Sequence, residues 1–163
     1  MRYHNITKDD MLNGEGLRTV LWVAGCSHHC PQCHNPVTWD INGGLVFDEQ
    51  AKEELFEELK KDYVSGVTFS GGDPFHLENR EEIGALAKEI REKFPYKTIW
   101  LYTGYEWEEI CHLSFLSNID VIVDGKFKIE EKDNNLHWKG SANQRVIDVK
   151  ASLRAGEVRL YQE

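Results

Sequence analysis

The chain has 163 residues, of which 19 are basic and 28 acidic, and its net charge is −9 at pH 7. This length predicts a single domain, residues 1–163, with a hydrophobic core of its own. The negative charge argues against non-specific binding to nucleic acid or to an anionic membrane. Because the sequence shows neither a secretory signal nor an apolar run of membrane-spanning length, we expect a cytoplasmic protein that binds neither nucleic acid nor membrane.

The first half of the chain predicts one strand and one helix around a loop that contains cysteines. Residues 1–12 are expected to form a lead-in that covers an edge of a barrel. The apolar run over 18–24 predicts a strand that is buried on both faces. Asp48 is placed to cap a helix over about 49–63, whose apolar residues fall on one side together with Tyr63.

The second half continues the alternation of strands and helices. Strands are predicted over 67–70, 98–102 and 120–123, helices over about 80–94 and 106–116, and two late strands over 146–149 and 158–161. Such alternation is typical of parallel strands joined by right-handed crossovers, and it predicts an α/β fold.

Residue types suited to chemistry follow four of these strands directly. They are the cysteines, Gly71-Gly72-Asp73, Thr103-Gly104 and Asp124. Ligands bind at the carboxyl ends of parallel strands, so we predict that the four loops meet in one site.

The cysteine loop is the strongest motif. Cys26, Cys30 and Cys33 have the spacing C-x3-C-x2-C and are three of the four cysteines in the chain. Clustered thiolates are soft ligands that select iron–sulfur clusters, zinc or copper(I). Three thiolates are one fewer than a closed site needs, so a four-iron cluster on them would keep one iron open.

The same segment has two other interpretations. Cys30-Pro-Gln-Cys33-His34 matches the C-x-x-C-H pattern of haem attachment, but Cys26 would then have no role. A zinc ion held by the three cysteines and His34 is chemically reasonable. The adjacency of Cys33 and His34 makes binding by both awkward.

The cysteine pattern, in a loop after the first predicted strand, resembles the signature of the radical S-adenosylmethionine (SAM) superfamily. The resemblance implies a short, open-sided partial (β/α) barrel. It also implies a [4Fe–4S] cluster on Cys26, Cys30 and Cys33, with SAM chelated to the fourth iron. Reductive cleavage of SAM then gives a 5′-deoxyadenosyl radical, and this chemistry belongs to the cofactors.

Ser70-Gly71-Gly72-Asp73-Pro74 resembles the glycine-rich motif with which this superfamily holds the methionine part of SAM. Two glycines permit a close approach of the backbone, and a carboxylate suits an ammonium group. The competing interpretation is an ordinary turn between a strand and a helix. The resemblance implies further SAM-binding positions at Gln32, Cys33, His34, Asn35, Asp124 and Lys126.

The segments over 13–18 and 33–40 resemble the activases of glycyl-radical enzymes, and those over 101–105, 123–127 and 138–145 resemble the activases of anaerobic ribonucleoside-triphosphate reductase. This resemblance implies hydrogen-atom abstraction from a glycine of that reductase, with an electron donor such as flavodoxin. The alternatives are activation of another glycyl-radical enzyme, similar to pyruvate formate-lyase, and a zinc-binding interaction module without catalysis.

Three further residues are expected to play no part in the site. Cys111 is predicted to be a small buried hydrophobic residue. His28 and His29, between the cysteines, are predicted to face solvent.

Overall fold

The computed structural model describes residues 1–33 and 35–162, which form one seven-stranded sheet and four α-helices. The strands are β1 (Arg2–Asp10), β2 (Arg18–Val23), β3 (Leu45–Val46), β4 (Gly66–Gly71), β5 (Thr98–Tyr102), β6 (Val121–Asp124) and β7 (Arg145–Asp148). The helices are α1 (Glu49–Leu59), α2 (Arg80–Lys93), α3 (Trp107–Ile110) and α4 (Val149–Ala155). Short 3-10 helices cover Pro36–Thr38, Ser114–Asn118 and Ile129–Glu131.

Four parallel strands form the centre of the sheet. The strand order is β3-β1-β2-β4-β5-β6-β7. Strands β2, β4, β5 and β6 are parallel neighbours, whereas β1, β3 and β7 pair antiparallel at the two sides. The predicted α/β alternation is therefore confirmed as a mixed α/β fold, and the carboxyl ends of the four parallel strands lie along one edge.

The two faces of the sheet differ because side chains alternate along each strand. Leu21 of β2, Phe69 of β4 and Leu101 of β5 belong to the main core, to which α1 and α2 also contribute. The alternate residues face the other way, and there Trp100 packs against Trp138 in a second, smaller cluster. We call this second side the aromatic face.

Both long helices begin where their sequences predict, and α1 ends earlier than expected. The carboxylate of Asp48 accepts a hydrogen bond from the backbone N–H of Ala51 at 2.9 Å, as a helix cap does. Helix α1 ends at Leu59 because nothing buries the next turn: the side chain of Tyr63, placed on the apolar side by the sequence, is 54% exposed.

Residues 1–12, expected to be a lead-in that covers an edge, contain strand β1, which pairs with β2 and so satisfies a strand edge that would otherwise be open. Two sequence predictions about regular structure are wrong. The segment 106–116 is not one helix but α3 followed by a 3-10 turn. The segment 158–161 makes one isolated bridge, between Ile147 and Leu160, and no strand. No helix within the described residues is long and apolar enough to cross a membrane.

Candidate functional site

The four loops that follow the parallel strands border one cavity of about 430 Å³. The lining residues from these loops are Cys26, His28, Cys30, Cys33, Asn35, Gly71, Gly72, Thr103, Gly104, Gly125 and Lys126. The structure thus brings together most of the residues that the sequence places at strand ends.

The cysteine loop is held to the chain that follows it. The backbone N–H of Gly25 donates to the carbonyl of Thr38 at 2.7 Å, and that of Cys26 donates to the carbonyl of Trp39 at 3.1 Å. The N–H of Asn35 lies 3.4 Å from the sulfur of Cys33, which gives that sulfur a donor. These hydrogen bonds therefore fix the start of the loop that carries the thiols.

The three thiols are free and partly exposed, and they line the same cavity. Burial raises the pKa of the Cys26 thiol to about 11, and burial likewise raises the pKa of Cys30. Thiolates, not thiols, bind metal, so a metal group that binds here must displace their protons.

This donor set suits an iron–sulfur cluster. Among residues 1–33 and 35–162, no three His, Cys, Asp or Glu side chains are grouped closely enough to hold a single metal ion. A four-iron cluster does not need such a group, because each thiolate binds a different iron. His34, proposed from the sequence for zinc and for SAM, lies outside the described residues.

Gly71 and Gly72 line the cavity, but contacts with the chain's own backbone already require glycine at both positions. Gly71 has φ +106°, and a Cβ there would stand 2.5 Å from the backbone nitrogen of Val23. A Cβ on Gly72 would stand 2.5 Å from the carbonyl oxygen of Gly25. The pairing of β4 with β2 and the seating of the cysteine loop therefore require both glycines before any ligand is considered.

Asp73 is turned toward other loops and does not line the cavity. Its carboxylate is 1% exposed. One oxygen, Oδ2, lies 2.6 Å from His28 Nε2 and accepts from the Thr103 hydroxyl at 3.0 Å and the Gly104 N–H at 2.9 Å. The other oxygen accepts from the N–H of Phe75 at 2.8 Å. The carboxylate thus joins three loops of the site.

Asp124 is engaged in a similar way. It is 1% exposed, pairs with Arg145 at 2.6 Å, and accepts from the N–H of Trp107 at 2.8 Å. The hydrogen bonds that Arg145 donates to Asp124, and next those to Glu108, raise the pKa of Arg145 above its ordinary value. Of the two residues proposed from this strand end, Lys126 lines the cavity and Asp124 does not.

Some of the remaining predicted residues line the cavity and others do not. Asn35 lines the cavity, whereas Gln32 is exposed outside it. The prediction that His28 faces solvent is wrong, because its side chain is 7% exposed and is held by Asp73. The prediction that Cys111 is buried is also wrong, since it is exposed on the short segment after α3. His29 is exposed, as expected.

Aromatic side chains that the sequence did not single out form one wall of the cavity. They are Trp22, Tyr102, Phe127 and Trp138. The hydroxyl of Tyr102 donates to the carbonyl of Trp138 at 2.6 Å, and burial raises the pKa of that hydroxyl. The alternation along β2 and β5 was sufficient to find Trp22 and Tyr102, but Trp138 comes from an irregular segment that has no such signal.

The cavity and its loops lie within the range matched by a family model described as a 4Fe-4S single cluster domain, residues 12–147. Three relatives are each similar over 90% of this chain, and each is named anaerobic ribonucleoside-triphosphate reductase-activating protein. The protein of Enterobacteria phage T4 is 44% identical, and 93% of its length is covered. Those of Salmonella typhi and Escherichia coli strain K12 are 40% and 39% identical, each covered over 97%. The description of the family model favours an iron–sulfur cluster over zinc or haem.

Proposed function

The chain belongs to the family of the anaerobic ribonucleoside-triphosphate reductase-activating proteins, and we propose that it generates the glycyl radical of such a reductase. The observation that carries the proposal is the placement of three thiols from one loop in a cavity at the carboxyl edge of the parallel strands, within the range of the 4Fe–4S family model.

Cys26, Cys30 and Cys33 would hold the cluster, and SAM would occupy the rest of the cavity. When bound, the cluster supplies one electron that breaks a carbon–sulfur bond of SAM, giving methionine and a radical that takes a hydrogen atom from a glycine. The electron comes from a low-potential one-electron donor such as flavodoxin.

The residues that line the cavity supply the contacts for SAM. We propose that Gly71, Gly72, Asn35 and Lys126 border the bound cofactor, since all four line the cavity. Lys126 also brings positive charge near Cys30. Asp73 and Asp124 would support the residues of the cavity wall without contacting SAM, because their carboxylates are buried and hydrogen-bonded to the chain. Contacts from Gln32 and His34 remain predictions.

We further propose that the seven-stranded sheet is a short version of the partial (β/α) barrel, within a single domain. The segment 126–144 contributes Phe127, Leu136, Trp138 and Lys139 to the cavity wall, so one side is covered by this chain. A protein substrate needs the remaining opening, and the docked reductase would complete the exclusion of water. A reducing compartment such as the cytoplasm suits the free thiols, and the net charge of −9 disfavours nucleic acid.

The experiment combines the reconstituted protein with an anaerobic ribonucleoside-triphosphate reductase, SAM and a one-electron reductant. A doublet of a glycyl radical in the electron paramagnetic resonance spectrum is expected, together with 5′-deoxyadenosine. A reductase variant with alanine at the target glycine is the control and should give no doublet. A wild-type mixture that forms neither product would overturn the proposal.

A second assay tests the alternative partner. The same protein is mixed with a glycyl-radical enzyme of the pyruvate formate-lyase type under the same conditions. We expect a radical yield far below that with the ribonucleotide reductase. An equal or larger yield would move the assignment to the other partner, while bound zinc without iron would favour an interaction module.

A further inference from the structure

We propose that His28, held by Asp73, is a positioning residue that sets the cysteine loop against the two loops that face it. The inference rests on the proposed function, because it concerns how the same cavity receives SAM. It assigns to Asp73 a role through His28, in place of a direct contact with SAM.

The contact between His28 and Asp73 is short and shielded. His28 Nε2 lies 2.6 Å from Asp73 Oδ2, and the two side chains are 7% and 1% exposed. An imidazole N–H donates and a carboxylate oxygen accepts, so the two groups can form a hydrogen bond at this distance.

The imidazole ring is also confined by its neighbours. Its centroid lies 4.7 Å from that of Tyr105, in an edge-to-face arrangement at 75°. A side-chain carbon at Gly104 would overlap the ring, so the absence of one there gives His28 its space. The guanidinium of Arg80 lies 5.2 Å from the ring centroid of Tyr105. The imidazole is therefore confined between Tyr105 and the backbone at Gly104.

This position couples three loops that are distant in sequence. His28 lies between two cluster cysteines, Asp73 follows β4, and Thr103-Gly104 follows β5. The Asp73 oxygen that contacts His28 also accepts hydrogen bonds from the Thr103 hydroxyl and the Gly104 N–H. His28 lines the cavity together with the thiols. Moving the ring would shift the thiols relative to Gly71 and Gly72. This shift would change the space left for SAM.

The test uses the cluster-loaded full chain, without the reductase. His28→Ala removes the ring, His28→Gln keeps a donor of similar reach, and His29→Ala is the matched control at an exposed histidine of the same loop. Three quantities are measured: iron content, SAM affinity, and the change that SAM causes in the electron paramagnetic resonance spectrum of the reduced cluster.

We expect His28→Ala to weaken SAM binding about 10- to 100-fold, the usual range for a residue that orients a ligand to a metal group, and to lose the spectral change. His28→Gln should recover most of both, and His29→Ala should match the wild type. If His28→Ala loses its iron, the glutamine variant decides: recovery of iron and of the SAM response supports the proposal, and no recovery overturns it. Wild-type SAM affinity and spectra in His28→Ala would also overturn it.

A double-variant cycle tests the role of Asp73. If Asp73 acts through His28, Asp73→Asn should weaken SAM binding in the wild type but add little in the His28→Ala background. Additive losses would mean that Asp73 contacts SAM itself, which would overturn this part of the inference. The proposed function is judged separately, because it falls if the wild-type protein neither binds SAM nor forms the glycyl radical.

Discussion

Buried charged side chains lie at both edges of the parallel strands. They are basic at the amino edge and acidic at the carboxyl edge, and they contact different parts of the molecule. At the amino edge, Arg18 is fully buried and donates to the hydroxyls of Thr68 and Thr98, each at 2.8 Å, and to three backbone carbonyls. Burial lowers its pKa to about 10, so it stays charged at neutral pH. At the carboxyl edge the buried charges are the carboxylates of Asp73 and Asp124.

The partners of these charges show what each edge does. Arg18 joins the turn before β2 to β4 and β5, which are parts of the sheet itself. Asp73, which belongs to the Gly-Gly turn, joins the loop that carries the thiols to the loop after β5. We infer that changes at the amino edge act on stability alone, whereas changes at the carboxyl edge also alter the site and have the smaller effects on stability.

Cavity size does not distinguish the two edges. A cavity of about 850 Å³ lies near the amino edge, lined by charged residues of both signs such as Asp62, Lys97 and Arg154, and it is larger than the one that contains the thiols. The residues that line a cavity identify this site, and its volume does not.

The largest expected effect is at the carboxyl edge and concerns chemistry. Cys26→Ala should abolish cluster retention and reductive cleavage of SAM, because two thiolates leave more than one iron without a protein ligand. Iron content and 5′-deoxyadenosine are measured after anaerobic reconstitution. Cys111→Ala is the control, since Cys111 is exposed and outside the cavity lining. Iron kept in Cys26→Ala but lost in Cys111→Ala would contradict the ligand assignment.

The largest effect on stability is expected at the amino edge. Arg18→Met should lower the free energy of unfolding by about 3–4 kcal/mol, because it leaves several buried acceptors without a donor. Urea unfolding of the metal-free chain measures the change. Arg154→Met, at an exposed arginine of α4, should change it by less than about 0.5 kcal/mol. Equal effects of the two substitutions would mean that the buried hydrogen bonds of Arg18 do not stabilise the amino edge.

The Gly-Gly turn gives a sharper test of the same contrast. Gly72→Ala should destabilise the chain by about 2 kcal/mol even without SAM, because its Cβ would press on the carbonyl oxygens of Gly25 and Thr38. Gly140→Ala is a matched control on the cavity wall, where the nearest atoms belong to the Phe127 ring at 3.3 Å and can yield. If Gly72→Ala leaves unfolding unchanged and only weakens SAM binding, the glycine serves the ligand after all.

The smallest expected effect is at the Thr103 hydroxyl, which donates a hydrogen bond to Asp73. Thr103→Val keeps the shape of the side chain but removes a donor to Asp73 and an acceptor for the N–H of Tyr105. We expect a loss of about 1 kcal/mol in unfolding free energy, since His28 and Gly104 still satisfy the carboxylate. Ser117→Ala, at an exposed hydroxyl, is the control. A loss as large as that of Arg18→Met would mean that this edge, too, is built mainly for stability.

The sequence by itself determined the order of the four parallel strands, the two long helices between them and the chemistry of the cysteine loop. Strand β5 and the start of α2 follow from local periodicity, and the start of α1 follows from its cap; both signals depend on residues only a few positions apart. The spacing of Cys26, Cys30 and Cys33 is likewise a local property. The convergence of four loops also followed from the sequence, because parallel strands place their carboxyl ends along one edge.

The tertiary structure decided what those loops do to one another. His28 and Asp73 are 45 positions apart, and Thr103 is 30 positions beyond Asp73, so no local pattern records their contact. The reason for glycine at Gly72 depends on where the carbonyl of Gly25 comes to lie. Local spacing fixes which groups are available, whereas burial and the close approach of distant segments fix their partners. For this reason the thiols could be identified from the sequence, and the contacts of Asp73 could not.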